Sequence, residues 1–229
     1  MNFLEKMSPF EKRDLLLAWI CLAIAFTLCV SGGLVLITNN DKISIGMLMM
    51  TFIVAVITAG LSFVLHELAH KFTAIRYGYW AEFRKNTQML LMAIVVAVIV
   101  GIVFAAPGAT LINTTGREMT KKENGIISLA GPLTNLILTI PFLFCLTGGV
   151  LLGGAASSTF TFPGFLCYLG IMGIQVNAML AFFNMLPIGH LDGKKILHWN
   201  AMAFATLITV SFLVLYVSLR LRMFVVLLS

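Results

Sequence analysis

The chain has 229 residues, of which 60% are hydrophobic and 10% are charged, and its formal net charge is +6. Soluble domains contain about a quarter charged residues, so this chain has too few charges to cover a water-facing surface. Composition therefore excludes a soluble globular protein and predicts an all-α polytopic membrane protein. The basic excess is expected to mark cytoplasmic loops, and we predict no nucleic-acid partner.

Apolar runs long enough to cross a membrane recur along the chain, because a spanning helix needs about 20 consecutive apolar residues. A further apolar stretch at 88–111 would raise the expected count of helices from five to about six. The segment 148–164 is rich in Gly, Ser and Thr and carries no charge, so it is interpreted as a loop on the outer face. The predicted spans are 15–37, 45–74, 126–146, 165–186 and 199–219.

The basic residues predict how these spans are oriented, since cytoplasmic loops carry an excess of Lys and Arg. With a cytoplasmic N-terminus, only Lys42, Arg220 and Arg222 lie outside. The stretch 88–111 must then begin and end on the cytoplasmic side, so we predict that it dips into the membrane and returns, or forms a hairpin. Its β-branched run at 94–100 suits a strand as well as a helix. A single helical crossing is the alternative, and it would invert every later loop.

The second predicted span ends in an HExxH motif, His66-Glu67-Leu68-Ala69-His70. Residues four apart share a helix face, so both imidazoles can bind one Zn²⁺. Glu67 is turned by about 100° around the helix. It lies beside the metal, where it can take a proton from water. The alternative is a chance match, but ionisable groups are expensive inside a membrane and are functional by default. We therefore predict His66 and His70 as zinc ligands and Glu67 as the catalytic base.

A catalytic zinc site needs a third protein ligand and an open position for water. The candidates are Asp192, His190 and His198. Pro187 stops the preceding helix, so the chain after it can bend a carboxylate back toward the metal. The charge rule also places this end of the 165–186 span on the same side as HExxH. Asp192 is therefore the predicted third ligand.

Three motifs occur in a fixed order: HExxH at 66–70, GPLTN at 131–135 and NxxPxxxxDG at 184–193. Together they extend over more than half of the chain, and the ordered set resembles the site-2 protease family of intramembrane zinc metalloproteases. The resemblance implies one zinc ion held by His66, His70 and Asp192, with Glu67 as catalytic base.

The resemblance also implies roles for two asparagines. Asn184 corresponds to a residue that holds the substrate backbone, and Asn135 to a polar residue near the metal, so both are substrate-binding candidates. An interhelical hydrogen bond without a catalytic role is the alternative for each. The re-entrant stretch at 88–111 would be the family's membrane-inserted β element.

The sequence also departs from the family pattern. Many members carry a PDZ domain, whereas this chain is expected to be a compact member without one. Its single membrane-embedded domain is predicted over 1–229, with a catalytic core over about 45–198. Many members have a second glycine after Asp-Gly, and Lys194 stands there instead. Because the predicted ligands are intact, this difference bears on regulation and substrate entry and not on the expected activity.

The expected function is hydrolysis of peptide bonds in or near the transmembrane segments of membrane-protein substrates. The protein would be a multi-pass membrane protein, in the cell membrane, with its active site toward the cytoplasm. An unwound substrate needs partners for its bared backbone groups. An edge strand from 88–111 and Asn184 would supply them by strand addition. The alternatives are a zinc transporter or metal-binding sensor, and a protease-like scaffold that cuts nothing. A zinc protease for lipid-modified C-termini is disfavoured by the third motif.

Overall fold

The computed structural model describes residues 7–33, 44–101, 103, 108–114 and 116–228, with side chains described as far as Leu221. These residues are almost entirely helical and contain one pair of short strands. In chain order the elements are α1 (Pro9–Val30), α2 (Ile45–Ala55), a π-helical turn (Val56–Gly60), α3 (Leu61–Arg76), β1 (Trp80–Lys85), α4 (Thr87–Val100), β2 (Gly108–Asn113), α5 (Lys121–Leu151), a 3₁₀ turn (Gly154–Ala156), α6 (Phe162–Asn184), α7 (Asp192–Trp199) and α8 (Ala201–Leu228).

Within the described residues, five helical segments are long and apolar enough to cross a membrane. One of them, Ile45–Arg76, joins α2, the π turn and α3. Each predicted span overlaps one of these segments, so the prediction of an all-α, multi-pass membrane protein is confirmed. The end of the first predicted span, at 34–37, lies outside the described residues. Helix α5 reaches Leu151 and α6 begins at Phe162, so the connection between them is shorter than the loop predicted at 148–164.

The described part of the stretch predicted to re-enter the membrane contains helix α4 and then strand β2, and its residues 102 and 104–107 lie outside the described residues. Lys85, at the end of β1, pairs with Gly108, at the start of β2. The chain therefore leaves the sheet and returns to the same place, as a re-entrant segment does. Helix α4 has 14 residues. At 1.5 Å per residue it is about 21 Å long, which is less than the roughly 30 Å of a hydrocarbon core.

The run at 94–100, which suited a strand as well as a helix, is helical in the structure, and a strand follows at 108–113. Asn86 caps α4 by accepting a hydrogen bond from the Met89 N–H at 3.1 Å. Gly101, with φ of 71°, ends the helix in the left-handed conformation. In hydrocarbon every backbone group needs a partner within the protein, so a helix is favoured over an unpaired strand despite the β-branched residues.

Helix α3 is anchored to α1 at the π turn that precedes it. Trp19 on α1 donates its indole N–H to the Val56 carbonyl at 2.8 Å. A Cβ at Gly60 would lie 1.8 Å from the Trp19 ring, so the indole needs a glycine at this position. Such π turns often occur near functional sites. This one sets the position of the helix that carries HExxH.

Helices α5 and α6 pack closely through small residues. A Cβ at Gly173 would lie 2.2 Å from the Phe142 ring, and a Cβ at Gly170 would lie 2.5 Å from the Leu146 nitrogen. Glycines allow helix backbones to approach in a membrane, where van der Waals packing replaces the hydrophobic drive for association. The α5–α6 pair forms the wall against which α3 packs.

Candidate metal centre and active site

Three buried side chains converge between α3 and α7: His66, His70 and Asp192. The two Nε2 atoms lie 3.0 Å apart. Oδ2 of Asp192 lies 3.4 Å from Nε2 of His66 and 3.1 Å from Nε2 of His70. Tetrahedral Zn²⁺ with bonds of about 2.0–2.1 Å separates its ligand atoms by about 3.4 Å. The three atoms therefore have the spacing and chemistry that suit a zinc ion.

Both imidazoles are oriented by a hydrogen bond to the other ring nitrogen. Nδ1 of His66 lies 2.5 Å from Oδ1 of Asn135, and Nδ1 of His70 lies 2.8 Å from the Ile127 carbonyl oxygen. Because both partners are oxygen acceptors, each Nδ1 carries the proton and donates it. The lone pairs of both Nε2 atoms are thereby left free for a metal ion, an arrangement that is usual for histidine ligands.

Asn135 is fully buried behind His66. Its amide nitrogen donates to Oδ1 of Asn177 at 3.1 Å and to the Ser62 carbonyl oxygen at 3.4 Å. These two donations leave Oδ1 of Asn135 as the acceptor toward His66. The position supports a role in orienting a ligand, and the predicted contact of Asn135 with substrate stays a prediction.

Gly131 on α5 lies directly against the two imidazoles. A Cβ at this position would lie 2.4 Å from Nε2 of His70 and 2.6 Å from Nε2 of His66. A methyl group would therefore occupy the space in front of the metal-binding nitrogens. The glycine of the GPLTN motif is explained by this close approach.

The turn between α6 and α7 returns Asp192 to the histidines. Helix α6 ends at Asn184, and Gly189 has φ of 56°, which favours glycine. A Cβ at Gly193 would lie 2.0 Å from the Met185 carbonyl oxygen, so the start of α7 packs tightly on the end of α6. Burial raises the pKa of Asp192, but when His70 and His66 are protonated they lower it more, so the pKa then lies below its ordinary value.

The other two candidates for the third ligand lie away from the cluster formed by the described residues. His198 is exposed, and its Nδ1 lies 2.6 Å from the Lys194 carbonyl oxygen on the same helix. His190 is exposed on the wall of the cavity beside the site. The structure thus places Asp192, and neither of these histidines, beside His66 and His70.

Glu67 lies on the wall of a cavity of about 700 Å³ that also contains the three metal-binding side chains. The Thr110 hydroxyl donates to Oε2 of Glu67 at 2.8 Å and lies 3.2 Å from the Glu67 carbonyl oxygen. Thr110 belongs to β2, so the strand directly orients the predicted catalytic carboxylate. No motif in the sequence indicated Thr110, because its role depends on where the re-entrant segment returns.

Asn184 also lines this cavity, at the end of α6. Its amide nitrogen donates to the Leu180 carbonyl oxygen of the same helix at 2.9 Å, which leaves the side-chain oxygen for another partner. The structure places Asn184 where a bound peptide could reach it. Its predicted role toward the substrate backbone stays a prediction.

Strand β2 lines the cavity. The sheet has two strands, so one edge of β2 pairs with β1 and no described strand pairs with its other edge. The Phe83 N–H on β1 points away from β2, because it donates to a side chain of α1. In an antiparallel pair, directly opposite residues either bond to each other or both point outward. Thr110, which is opposite Phe83, therefore directs its backbone N–H and C=O to the open edge. Gly108 and Ile112 do the same by alternation.

The chain is similar to three curated proteins whose names describe them as zinc metalloproteases, an activity assigned to them by inference. It is 39% identical to MJ0611 of Methanocaldococcus jannaschii over 157 residues, which are 68% of this chain and 75% of the relative. It is 30% identical to YwhC of Bacillus subtilis over 150 residues, covering 62% of this chain and 66% of the relative. It is 32% identical to Rip2 of Mycolicibacterium smegmatis over 145 residues, covering 58% of this chain and about half (51%) of that protein.

No protein-family model matches the chain. No solved structure matches it significantly. Zinc is the metal that the names of the relatives imply, and the cluster of His66, His70 and Asp192 has the donor set that zinc prefers.

Proposed function

The chain belongs to the zinc metalloprotease family of these relatives, and from this premise we propose that it is an intramembrane protease of the site-2 type. Its substrates would be membrane proteins, cut at peptide bonds in or near a transmembrane segment. The observation that carries the proposal is the open edge of β2, which lines the same cavity as the metal cluster and Glu67. A soluble substrate would not need such an edge inside a bundle of apolar helices.

The chemistry divides between the metal and the protein. His66, His70 and Asp192 would hold the zinc ion, which supplies Lewis acidity and a bound water of lowered pKa when present. Glu67 would accept a proton from the attacking water and return it to the leaving amide nitrogen. The Thr110 hydroxyl would hold the Glu67 carboxylate in the orientation that this transfer needs.

Substrate binding would use the backbone of β2. A transmembrane substrate hides its N–H and C=O groups in helical hydrogen bonds, so cleavage requires local unwinding and new partners for these groups. The outward-facing groups of Gly108, Thr110 and Ile112 would supply them by strand addition. Thr110 would then serve both substrate binding and catalysis, because its backbone faces the substrate and its side chain contacts Glu67. Asn184, which lines the same cavity, would also hold the peptide backbone.

The direct test is proteolysis by the purified protein in lipid nanodiscs, with single-span membrane proteins as substrates. We expect cleavage within or beside the span, loss of cleavage with a zinc chelator, and recovery on adding Zn²⁺. The matched inactive variant is Glu67→Gln. Cleavage of a soluble unfolded protein at an equal rate would contradict the intramembrane substrate class. Zinc flux into proteoliposomes without cleavage would favour the transporter alternative.

We further propose that the active site faces the cytoplasm and that the protein lies in the cell membrane. The distribution of basic residues supports this orientation, and the pairing of Lys85 with Gly108 supports an even number of crossings between HExxH and Asp192. Single cysteines at Lys85 and Thr120, in a variant without the four native cysteines, should both label from the cytoplasmic side. Labelling of both cysteines from the outer side would contradict the orientation. Labelling from opposite sides would contradict the even number of crossings.

A further inference from the structure

The outer edge of β1 is covered by the first turns of helix α1. The Phe83 N–H donates to Oε1 of Glu11 at 3.0 Å, and the Lys85 N–H donates to Oδ2 of Asp14 at 3.5 Å. Ser8, which caps α1, donates its hydroxyl to the Glu82 carboxylate. Two carboxylates thus accept the outward N–H groups of two alternate residues, as the carbonyls of a neighbouring strand would.

The same Glu11 carboxylate is paired with the helix that carries the metal ligands. Its Oε2 accepts a hydrogen bond from the Lys71 ammonium, and Lys71 directly follows His70. Glu11 and Lys71 are both essentially inaccessible to solvent, at 0% and 1% exposure. A buried charge pair is costly to desolvate and gives no net stability by default. Its presence therefore calls for an explanation other than stabilisation of the fold.

The contacts form a closed connection through the active site. Glu11 joins Lys71 on α3 to Phe83 on β1, Phe83 is opposite Thr110 on β2, and Thr110 donates to Glu67 on α3. The Phe83 ring also packs edge-on against Phe63 of α3, with centroids 5.7 Å apart. The distance between the open edge of β2 and the metal cluster is therefore set by contacts of both strands with α3, directly from β2 and through Glu11 and Phe63 from β1.

We propose that Glu11 is a positioning residue of the protease, one that fixes the strand pair relative to the zinc helix and closes the outer edge of β1. The inference rests on the proposed function, because the edge matters only if substrate adds to the sheet. With β1 covered, an unwound peptide can add only to β2, beside Glu67. An uncovered edge strand would offer a second place for a peptide to pair, far from the metal.

The test separates the two roles of the carboxylate. In the double variant Glu11→Gln/Lys71→Met both buried charges are removed, but the glutamine oxygen can still accept from the Phe83 N–H. In Glu11→Leu/Lys71→Met both charges are removed, and so is the oxygen that accepts from the Phe83 N–H. The new side chains have volumes similar to those they replace. Replacing a buried ion pair by apolar side chains usually preserves folding, so both variants are expected to fold.

Three measurements are made on both variants in nanodiscs: zinc content, amide exchange of the peptide that contains Phe83, and cleavage of a single-span substrate. We expect both variants to keep one zinc. In the leucine variant the Phe83 amide should exchange at least about 10-fold faster, as expected after loss of a hydrogen bond to a charged acceptor. Its KM should rise and cleavage should spread to neighbouring bonds, whereas the glutamine variant should recover the single site.

Equal exchange and equal cleavage patterns in the two double variants would overturn the proposal. A wild-type protein that holds zinc but cuts no membrane substrate would refute the proposed function instead. The exchange measurement still tests the contact of Glu11 with β1 in that case, because it needs no substrate. A uniform loss of zinc in the leucine variant would also overturn the proposal, since it would show a structural role in the metal site.

Discussion

Thr110 and Glu67 lie 43 residues apart in the chain, yet the Thr110 hydroxyl donates to the Glu67 carboxylate at 2.8 Å. This contact joins the returning strand to the helix of the metal ligands. It means that the geometry of the predicted base depends on the re-entrant segment. A disturbance of β2 would therefore affect both substrate binding and proton transfer.

The first prediction concerns this hydroxyl. We expect Thr110→Val to lower kcat by about 10- to 100-fold, the range that corresponds to losing a hydrogen bond with a charged partner. Valine keeps the shape and the β-branched side chain, so the strand should remain. The measurement is kcat for a single-span substrate, with Thr110→Ser as the control that restores the hydroxyl. A valine variant as active as wild type would show that Glu67 needs no support from β2.

The second prediction assigns Glu67 to proton transfer. Glu67→Gln should keep one zinc per chain, because the side chain does not belong to the metal cluster. It should lower proteolysis by at least about 100-fold, since general acid–base catalysis contributes on the order of 10²–10⁴. Metal analysis and cleavage are measured on the same preparation. Loss of zinc from the folded variant would instead make Glu67 a ligand.

The third prediction concerns the choice among three candidate ligands. Asp192→Ala should weaken zinc binding strongly, whereas His190→Ala and His198→Ala should leave it within a few-fold of wild type. The physical reason is position, because Oδ2 of Asp192 lies within 3.4 Å of both Nε2 atoms, whereas His190 and His198 are outside the cluster that the described residues form. Zinc affinity is measured by competition with a chelator. A larger loss of zinc affinity in either histidine variant would make that histidine, and not Asp192, the third ligand.

The sequence predicted which three side chains cluster, His66, His70 and Asp192, because the information is local. Residues 66 and 70 share a face through helix periodicity alone, and the helix stop at Pro187 indicated a turn before Asp192. The sequence left strand and helix open at 94–100, since β-branched residues favour a strand only where a partner is available. Thr110 and Glu11 could not be predicted, because their roles depend on contacts between elements that are distant in the chain.

The fourth prediction tests the glycine that faces the metal site. Gly131→Ala should lower zinc affinity by at least about 10-fold, comparable to losses on disturbing groups that surround a metal site. The added methyl would lie 2.4 Å from Nε2 of His70, so the imidazoles must move. Gly148→Ala in the same helix is the matched control, because its methyl would meet nothing within 4 Å. Equal zinc affinities in the two variants would contradict the packing argument.

The last prediction tests strand addition from the side of the substrate. Proline substitutions through the β-branched run at 95–100 would not test it, because that run is helical and such variants would mainly disturb α4. N-methylation of single residues in a substrate peptide removes one N–H at a time and leaves the enzyme unchanged. The outward groups of β2 recur at every second residue, at Gly108, Thr110 and Ile112. A peptide paired with this edge directs alternate N–H groups toward it.

N-methylation should therefore raise KM with a period of two residues along the substrate, and the intervening positions should have little effect. The largest increases are expected at the residues that face Thr110, next to the bond that is cut. The control is the same set of peptides with alanine in place of the N-methylated residues, which changes side chains but no N–H. A period near 3.6 would mean that the substrate enters as a helix. Equal effects at all positions would mean that the peptide backbone is not paired with β2, even if Glu67 and the zinc site act as proposed.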